Sequence, residues 1–484
     1  MNYTILIIKK LKALYLSFNR TIMKPFNPKL ALTIALLLAL FTSCKKTFND
    51  TLPVSAQASD DLRLRSGKPN IILIIGDDIG YEVPQYTGGE SYNTPNLNFM
   101  AANGTQFTNF FSHPDGPPSR LALVTGKYNF RNWVKFGLLP DTSKTIANML
   151  QNAGYKTCYI GKWQFDGGDA SIKKHGFENY RVFQPFNIVD NNGMDQYHGR
   201  YKSPYLYENA SYLPDSVVKN KYSEDLFYDY ASTFIDNNKS KPFFIQYSLN
   251  LAQHPWSPTP DDPDYANWNP DIDDSLHENK KYFPGMIAYM DKMIGRLIKK
   301  IDSGGLANKT IILFTSDNAT NKNITSMYKG SPIKGGKNYT DRRGISVPLV
   351  VYGPGTVKQG AVDTSLVDMT DFLPTFAGIA NISRPSTWGP LDGVTFFDNL
   401  KGTKGNQRTF VYCYWDRDYM KIPIPVSYSF DYNYKLYDHW NRGKFFNIFI
   451  DPLEKDRLLD AELTISQKME KQKLKNILKS YAGY

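Results

Sequence analysis

Cysteine is scarce in this chain: three residues among 484 are too few for a disulfide-stabilised scaffold. Cys158 and Cys413 lie in apolar, strand-like sequence and are predicted to be buried free thiols, although their spacing alone leaves a disulfide between them open. Histidine is also rare, with six residues, and only His254 has a setting that indicates chemistry. Internal repeats and low-complexity tracts are missing as well, which argues against a solenoid.

A hydrophobic run long enough to span a bilayer is missing too. The apolar stretch at residues 30–41 suits the h-region of a signal peptide and falls short of the roughly 20 residues that a membrane span needs. It ends in Phe41-Thr42-Ser43-Cys44, which resembles a bacterial lipobox. We therefore predict a lipoprotein-type signal peptide at residues 1–43 and a lipid on Cys44, which would anchor the protein in the bacterial cell envelope, facing the periplasm or the cell surface. Plain signal cleavage beside an incidental Cys44 is the alternative.

The chain has no excess of acid, since its formal net charge is +11. Residues 1–43 contain six Lys or Arg and no acid, so their removal leaves a net charge of +5. A mildly basic exported protein suits anionic substrates, and nothing in the charge pattern indicates nucleic acid. The apolar and charged fractions, 41% and 21%, are those of a globular protein.

Beyond a polar tether predicted at residues 44–68, strand-like runs alternate with helical patterns. Runs typical of strands buried on both faces occupy residues 70–75, 156–160, 243–248, 310–315 and 348–352. Apolar residues at three- and four-residue spacing between Met286 and Ile301 mark one buried helix face. The alternation predicts an α/β domain at residues 69–400, with a mostly parallel sheet between helices.

A second, smaller domain is predicted at residues 401–484. Short strands are expected at residues 409–414, 434–437 and 445–450. A closing helix is expected to bury the stripe Leu474, Ile477, Leu478 and Tyr481. This domain should therefore be a small antiparallel sheet with one helix.

Two of the buried runs end in oxygen ligands. Asp77 and Asp78 follow the run at 70–75, and Asp317 and Asn318 follow the run at 310–315. Ligands of open α/β sheets bind beyond the carboxyl ends of strands, and adjacent carboxylates repel each other unless a cation neutralises them. One such pair alone would be interpreted as a turn or a helix cap. The two pairs together predict a divalent cation, and their oxygen donors suit Ca²⁺ or Mg²⁺ better than zinc.

Four further side chains are candidates for binding an anion. Arg120 follows Pro118 and Ser119, which suit a helix start whose N–H groups face an anion. Lys162 and Lys337 each follow a glycine, although a lysine alone is usually a solvated charge. His254 follows the run at 243–248 and would be suited to protonate a leaving oxygen.

The segment Gly116-Pro117-Pro118-Ser119-Arg120, with Thr125-Gly126, resembles the sulfatase signature C/S-x-P-S-R-x-x-x-x-T-G. Other segments agree with that family in order and spacing: Gly154-Tyr155-Lys156-Thr157, Gly161-Lys162-Trp163, Thr315-Ser316-Asp317-Asn318, Asp371-Phe372-Leu373-Pro374-Thr375 and Asp451-Pro452-Leu453-Glu454. The resemblance covers the chain from about Pro69 to the C-terminus. It implies an alkaline-phosphatase-like fold with a small C-terminal sheet domain. It also implies a sulfate site, with Ca²⁺ held by Asp77, Asp78, Asp317 and Asn318 and with sulfate surrounded by Arg120, Lys162, His254 and Lys337.

At two positions where the resemblance implies catalytic residues, the chain departs from the family pattern. The family converts a Cys or Ser at the first signature position to formylglycine, whose hydrated aldehyde attacks the sulfate ester, and Gly116 has no side chain to convert. Gln164 stands where the family has a histidine that helps to expel sulfate, and glutamine cannot take a proton at neutral pH. Arg343 and Ala319 also stand where the family usually has glycine. The resemblance thus implies the metal and sulfate contacts without formylglycine or its base.

Three functions follow as hypotheses. The first is a sulfuric-ester hydrolase-like pseudoenzyme that binds a sulfated carbohydrate or another small anionic ester without turnover. The second is an active sulfate- or phosphate-ester hydrolase in which a metal-bound water attacks, oriented or deprotonated by Asp115 or His113. The third is a structural envelope protein with a decayed site, which is disfavoured because unpaired carboxylates and lysines in one pocket are costly.

Overall fold

A computed structural model describes residues 67–186, 199–270, 279–383, 386–405, 407–422 and 424–481 of the protein. The predicted signal peptide, Cys44 and all but the last two residues of the predicted tether lie outside the described residues. Within these ranges, no helix has both the length and the apolar character needed to cross a membrane.

Strands and helices alternate along most of the described chain. The strands are β1 (Asn70–Gly76), β2 (Gly104–Phe111), β3 (Lys156–Lys162), β4 (Asn179–Phe183), β5 (Leu206–Glu208), β6 (Ser211–Tyr212), β7 (Phe243–Ser248), β8 (Thr310–Ser316), β9 (Thr325–Tyr328), β10 (Ser331–Lys334), β11 (Leu349–Tyr352), β12 (Ala361–Asp368), β13 (Val411–Trp415), β14 (Val426–Phe430), β15 (Tyr434–Tyr437) and β16 (Phe445–Asn447). The helices are α1 (Pro95–Ala102), α2 (Gly116–Thr125), α3 (Ile146–Asn152), α4 (Gly168–Lys174), α5 (Asp215–Val218), α6 (Ser223–Asn237), α7 (Phe283–Ser303), α8 (Arg342–Ile345), α9 (Phe372–Ile379), α10 (Phe397–Leu400) and α11 (Ile465–Tyr481).

Ten strands form one sheet, in the order β12-β2-β11-β8-β1-β7-β3-β4-β5-β6. The central strand β1 is parallel to both of its neighbours, β7 and β8. The strand β11 is antiparallel to both of its neighbours, β2 and β8. The sheet is therefore mixed but mostly parallel, which confirms the predicted architecture. The sequence analysis located five of the ten strands and missed others, such as β2 and β12, whose sequences interleave polar and apolar residues.

Both faces of this sheet are covered by apolar packing. Along β1 every side chain is buried, and alternate residues enter two separate hydrophobic cores, with Ile72 in one and Ile71 in the other. Helix α7 covers the first face with the predicted stripe from Met286 to Ile301. Residues of α2 and α9 fill the second core. The buried, β-branched run was therefore correctly interpreted as a central strand.

The end of the chain forms a four-stranded antiparallel sheet in the order β13-β14-β15-β16. Helix α11 packs on it and buries Leu474 and Leu478. The predicted small antiparallel sheet with one helix is confirmed, whereas β14 was missed because Pro425, directly before it, is typical of a loop. The predicted boundary between residues 400 and 401 stays a prediction.

Arg408, just before this small sheet, is held in a buried ion-pair network. Its Nη1 lies 3.0 Å from Asp368 Oδ2, and its Nε donates to Asp371 Oδ2 at 3.0 Å. Burial raises the pKa of Asp368 to about 7, although the charge of Arg408 acts to lower it. Asp371, one of the residues that resemble the family pattern, therefore has a structural role as a partner of Arg408. The predicted free thiols, Cys158 and Cys413, are both buried and unpaired.

Candidate functional site

Two pairs of polar residues meet where β1 and β8 end. The parallel ladder between the two strands runs to their last residues, so the segments that follow them leave the sheet side by side. Ligand oxygens of Asp77, Asp78 and Asp317 lie within 4.8 Å of one another. Asn318 Nδ2 donates a hydrogen bond to Asp78 Oδ1 at 2.7 Å. The fold therefore brings together all four residues that the sequence predicted as metal ligands, which we call the acidic cluster.

Three oxygens of the acidic cluster favour a bound cation. Asp77 Oδ1, Asp78 Oδ2 and Asn318 Oδ1 are buried and have no hydrogen-bond partner, and none of the three residues is more than 1% exposed. Burial of unpaired carboxylate oxygens is costly. A hard divalent cation would coordinate all three atoms, because it prefers oxygen donors. The residues present therefore fit a divalent metal ion.

The pKa values of the three carboxyls differ although they share one environment. Burial raises the pKa of Asp317 to about 6, and the neighbouring charge of Asp77 adds to the increase. Burial also raises the pKa of Asp78. At Asp77 burial acts in the same direction, but the charges of Lys162 and Arg120 outweigh it and the pKa lies below its ordinary value. A cation in the cluster would favour the ionised form of all three.

Three buried or half-buried cations face these carboxylates. The ion pairs are Lys162 Nζ–Asp77 Oδ2 at 2.6 Å, Lys337 Nζ–Asp78 Oδ1 at 2.5 Å and Arg120 Nη2–Asp317 Oδ2 at 2.9 Å. Three negative and three positive charges leave this set formally neutral, so a divalent cation would give it two net positive charges. A buried site of that sign attracts an anionic ester.

Helix α2 carries Arg120 and Gly116 to the acidic cluster. Asp115 caps the helix by accepting a hydrogen bond from Gly116 N at 2.8 Å. The helix ends at Gly126, which adopts the left-handed φ of 64°. The other carboxylate oxygen of Asp115 accepts from Tyr419 OH at 2.5 Å. Both oxygens of Asp115 are therefore engaged in positioning the helix.

Position 116 faces the acidic cluster directly. A Cβ built on Gly116 would lie 2.6 Å from Asp317 Oδ2 and 3.3 Å from both Asn318 Oδ1 and Gln164 Oε1. Gln164 has a left-handed backbone, with φ of 57°, and its buried Oε1 has no hydrogen-bond partner. The fold thus places Gly116 and Gln164 against each other at the cluster, and any side chain at position 116 would point into it.

His254 is connected to the acidic cluster through its neighbour in the chain. Gln253 Oε1 accepts from Lys162 Nζ at 2.5 Å and from Arg200 Nη1 at 2.9 Å. Arg200 Nη1 also donates to the carbonyl of His254 at 2.6 Å. The His254 ring packs edge-on against Trp256, with 5.1 Å between centroids. The loop that carries His254 is therefore fixed to Lys162.

Three residues that contact this site were not predicted from the sequence. Gln253 is adjacent to His254 in the sequence, so the prediction of His254 as a site residue could have been extended to it. Arg200 lies in a stretch without a motif, and only its burial reveals it. Tyr419 reaches Asp115 across 304 positions of sequence, a contact that only the tertiary structure shows.

The chain is similar in sequence and in fold to known proteins. The family model described as "Sulfatase" matches residues 69–382. An arylsulfatase from Hemicentrotus pulcherrimus is 27% identical over 379 residues, which are 73% of this chain and 66% of that protein.

Two solved structures share the fold. Ps i-CgsB, in complex with k-i-k-neocarrahexaose, matches with a TM-score of 0.70 and 24% identity over 86% of this chain and 93% of its own. A protein solved with its substrate D-glucosamine-2-N,6-O-disulfate matches with a TM-score of 0.70 and 20% identity over 86% of this chain and 98% of its own. The predicted alkaline-phosphatase-like fold is confirmed. Because the family model spans more than half of the sequence and includes the signature at residues 116–126, the chain belongs to the sulfatase family.

Proposed function

We propose that this protein binds a sulfated carbohydrate, or a related anionic ester, without formylglycine-dependent turnover. Gly116 is the observation that carries the proposal. By the signature resemblance, position 116 is where the family forms its nucleophile, and a side chain there would enter the acidic cluster. Glycine offers no atom that can be oxidised to an aldehyde, so formylglycine is absent from this site and the protein is a pseudoenzyme of its family.

The cation in this proposal is Ca²⁺, held by Asp77, Asp78, Asp317 and Asn318. Sulfatases typically bind a divalent metal, and the buried cluster is suited to one. Calcium takes six to eight oxygen ligands in flexible geometry, which suits a mixed set of carboxylates and an amide. When bound, such an ion polarises an ester oxygen and offsets its negative charge.

The cations of the site would hold the sulfate group. Arg120 and the two lysines have more N–H donors than the carboxylates use, so each could share its donors with a sulfate oxygen. His254 would donate to the ester oxygen that links sulfate to the sugar. Gln164 would hydrogen-bond the bound group through its amide, without taking up a proton. These roles support binding and leave the ester bond without an attacking atom.

An active hydrolase that attacks the ester with water is the second candidate function. His113 favours it, because both of its ring nitrogens are buried without a hydrogen-bond partner. Burial lowers the pKa of His113 to about 4, so the imidazole is neutral near pH 7 and offers an acceptor to a water, but it is a weaker base than an ordinary histidine. Asp115 is less suited to this role, since both of its carboxylate oxygens are engaged.

Calorimetric titration of the calcium-loaded protein with a sulfated disaccharide tests the proposed function. We expect one binding site for the sulfated sugar and none for its unsulfated counterpart. Lys337→Gln should weaken binding about tenfold or more, because it removes a charge-assisted contact. The exposed Lys334→Gln, three residues away, is the matched control and should bind as the wild type does. Equal binding of the sulfated and unsulfated sugars would contradict the proposal.

A further inference from the structure

A strongly basic cleft lies in the C-terminal part of the chain and shares no lining residue with the acidic cluster. It has a volume of about 530 Å³ and lies between the β15–β16 turn at residues 438–444 and helix α11. Its basic lining residues are His439, Arg442, Arg457, Lys468, Lys471 and Lys475. Among its described lining residues Asp460 alone is acidic. We call this depression the basic cleft.

Most of the positive charge of the basic cleft is uncompensated. Arg442, Arg457 and Lys468 are exposed, and within the described ranges none of them forms an ion pair. Lys471 pairs with Asp460. The hydrogen bond from Lys471 lowers the pKa of Asp460, and the charges of Arg457 and Lys468 lower it further. At least three cations therefore converge on one carboxylate, which leaves a concave surface that attracts anions.

A second, shallow groove borders the same turn and extends to Asn338, the residue after Lys337. This groove, of about 360 Å³, has Asn338, Arg343, Arg417 and Lys444 in its lining, together with the acidic residues Asp341 and Glu454. Asn338 directly follows Lys337, whose Nζ bonds Asp78 Oδ1 at 2.5 Å. We call it the connecting groove.

One turn separates the two depressions. Asn441 and Lys444 line the connecting groove, whereas Arg442 and Gly443 line the basic cleft. A single extended ligand that crosses this turn would therefore contact both of them.

The connecting groove has the chemistry of a carbohydrate contact. The Arg417 guanidinium lies 5.6 Å from the Trp415 ring centroid, and its buried Nε has no hydrogen-bond partner. The Arg343 guanidinium lies 5.1 Å from the Tyr339 ring centroid. The Trp415 ring is buried and Arg343 is paired with Asp341, with 2.5 Å between Nη2 and Oδ2. The exposed Tyr339 ring is therefore the face on which a sugar would pack, and Arg417 is the cation that would take its sulfate or carboxylate.

We propose that the basic cleft binds anionic groups of a polysaccharide whose sulfated end occupies the acidic cluster and whose chain follows the connecting groove. The direction of the chain rests on the proposed function, whereas the affinity of the basic cleft for a polyanion rests on its own residues. The ligand class is accordingly a polymer with several sulfate or carboxylate groups. Such a protein would bind long ligands more tightly than short ones, because each additional anionic group of the polysaccharide would pair with another cation of the protein.

A size series of one sulfated galactan, from disaccharide to decasaccharide, tests this proposal by calorimetry. The wild type should bind the decasaccharide about tenfold or more tightly than the disaccharide, because the longer ligand would form about three additional exposed ion pairs in the basic cleft. The triple variant Arg442→Gln, Arg457→Gln, Lys468→Gln should lose that gain and keep the disaccharide affinity. The matched control changes three exposed lysines elsewhere, Lys219→Gln, Lys241→Gln and Lys309→Gln, and should keep the gain. Added salt should reduce the gain, because exposed charges are screened.

The outcomes separate the two proposals. An unchanged length dependence in the triple variant, or an equal loss in the control, overturns the basic cleft as a polysaccharide site. Binding of anionic lipid vesicles that the triple variant loses, with the decasaccharide affinity unchanged, overturns it in favour of a membrane contact. Failure of the wild type to bind the disaccharide, with decasaccharide binding still lost in the triple variant, contradicts the proposed function alone and leaves the basic cleft standing.

Discussion

A side chain at position 116 would touch Asp317, Asn318 and Gln164, and this geometry links the two departures from the family pattern. The positions where the family resemblance implies a nucleophile and its base lie against each other, with 3.3 Å between a Cβ built at position 116 and Gln164 Oε1. Since Gly116 cannot form the aldehyde, a base at position 164 would have no intermediate on which to act. The neighbouring carboxylates and cations do not depend on that aldehyde, which is consistent with their presence.

Restoring the nucleophile should therefore require both positions. Gly116→Cys, produced in a host that installs formylglycine, should attack aryl sulfates slowly, because Gln164 cannot help to release the sulfate. The double variant with Gln164→His should exceed the product of the two single effects by about tenfold, since both residues act on one intermediate. Mass spectrometry confirms the aldehyde, and sulfate release measures the rate.

Gly116→Ala is the steric control for this series. It adds the Cβ that would crowd Asp317 Oδ2 at 2.6 Å but no oxidisable atom, so it should show no turnover. A double variant that carries formylglycine and still releases no sulfate would show that the remaining groups are not placed for catalysis.

Removal of one carboxylate should remove the metal. Asp317→Asn should lower the bound calcium well below one ion per chain, because the amide keeps the shape of the side chain and loses its charge. Calcium at 100 times its dissociation constant should add about 2.7 kcal/mol to the free energy of unfolding of the wild type and little to that of the variant. Metal analysis and thermal unfolding measure both effects, with the exposed Asp302→Asn as the control. Stoichiometric zinc in the wild type would refute the assignment.

At the scale of secondary-structure elements, β1 and β8 position the site because they are parallel neighbours in the centre of the sheet. Their β-branched, fully buried sequences made both strands predictable, and the residues that follow them made the acidic cluster predictable. The strand β11, which pairs antiparallel with β8, was predicted without its direction. Periodicity reports burial and not strand order, so the contacts of Arg200 and Tyr419 depend on packing that no local pattern encodes.

Helix α6 contributes a buried carboxyl that should make stability depend on pH. Glu224 Oε1 accepts from Asn250 N at 2.8 Å, in the loop that leads to Gln253. Burial raises the pKa of Glu224 to about 8 from an ordinary value of 4.5. Between those values the folded protein holds a proton that the unfolded chain releases. The contribution of Glu224 is therefore complete below pH 4.5 and is lost as the pH rises through 8.

Glu224→Gln should flatten this part of the stability profile, because the amide mimics the protonated acid. Between pH 5 and 8 the free energy of unfolding of the wild type should fall relative to that of the variant by about 1 kcal/mol per pH unit. Chemical unfolding at several pH values measures the difference. The exposed Glu462→Gln should behave as the wild type does; parallel profiles for Glu224→Gln and the wild type would contradict the expectation.

At the scale of the whole molecule, positive charge is concentrated in two parts of the chain. One part bears on cellular location and the other on ligand binding. Six of the excess cations belong to residues 1–43, and the basic cleft belongs to the C-terminal sheet. We propose that the mature protein is a lipoprotein anchored through Cys44, a residue outside the described ranges. An anchored protein with a polyanion-binding face would hold a sulfated polymer at the cell envelope.

Lipid attachment should control where the protein is found. Wild-type protein should partition with membranes, because several acyl chains give stable anchoring where one does not. Cys44→Ala should move it to the soluble fraction or leave an uncleaved precursor. Fractionation with mass spectrometry of the N-terminus measures this, and Ser43→Ala is the neighbouring control. Membrane association that survives the loss of Cys44, with the signal cleaved, would place the anchor elsewhere.

The site of this sulfatase-family protein should bind a sulfate ester without cleaving it. The most direct test uses a sulfated disaccharide that the calcium-loaded wild type is shown to bind. Ion chromatography measures the release of inorganic sulfate over several days, with an active arylsulfatase as the positive control. We predict saturable binding of the disaccharide, with sulfate release no faster than in buffer. Sulfate release by the wild type that Asp317→Asn abolishes would contradict it and establish an active hydrolase.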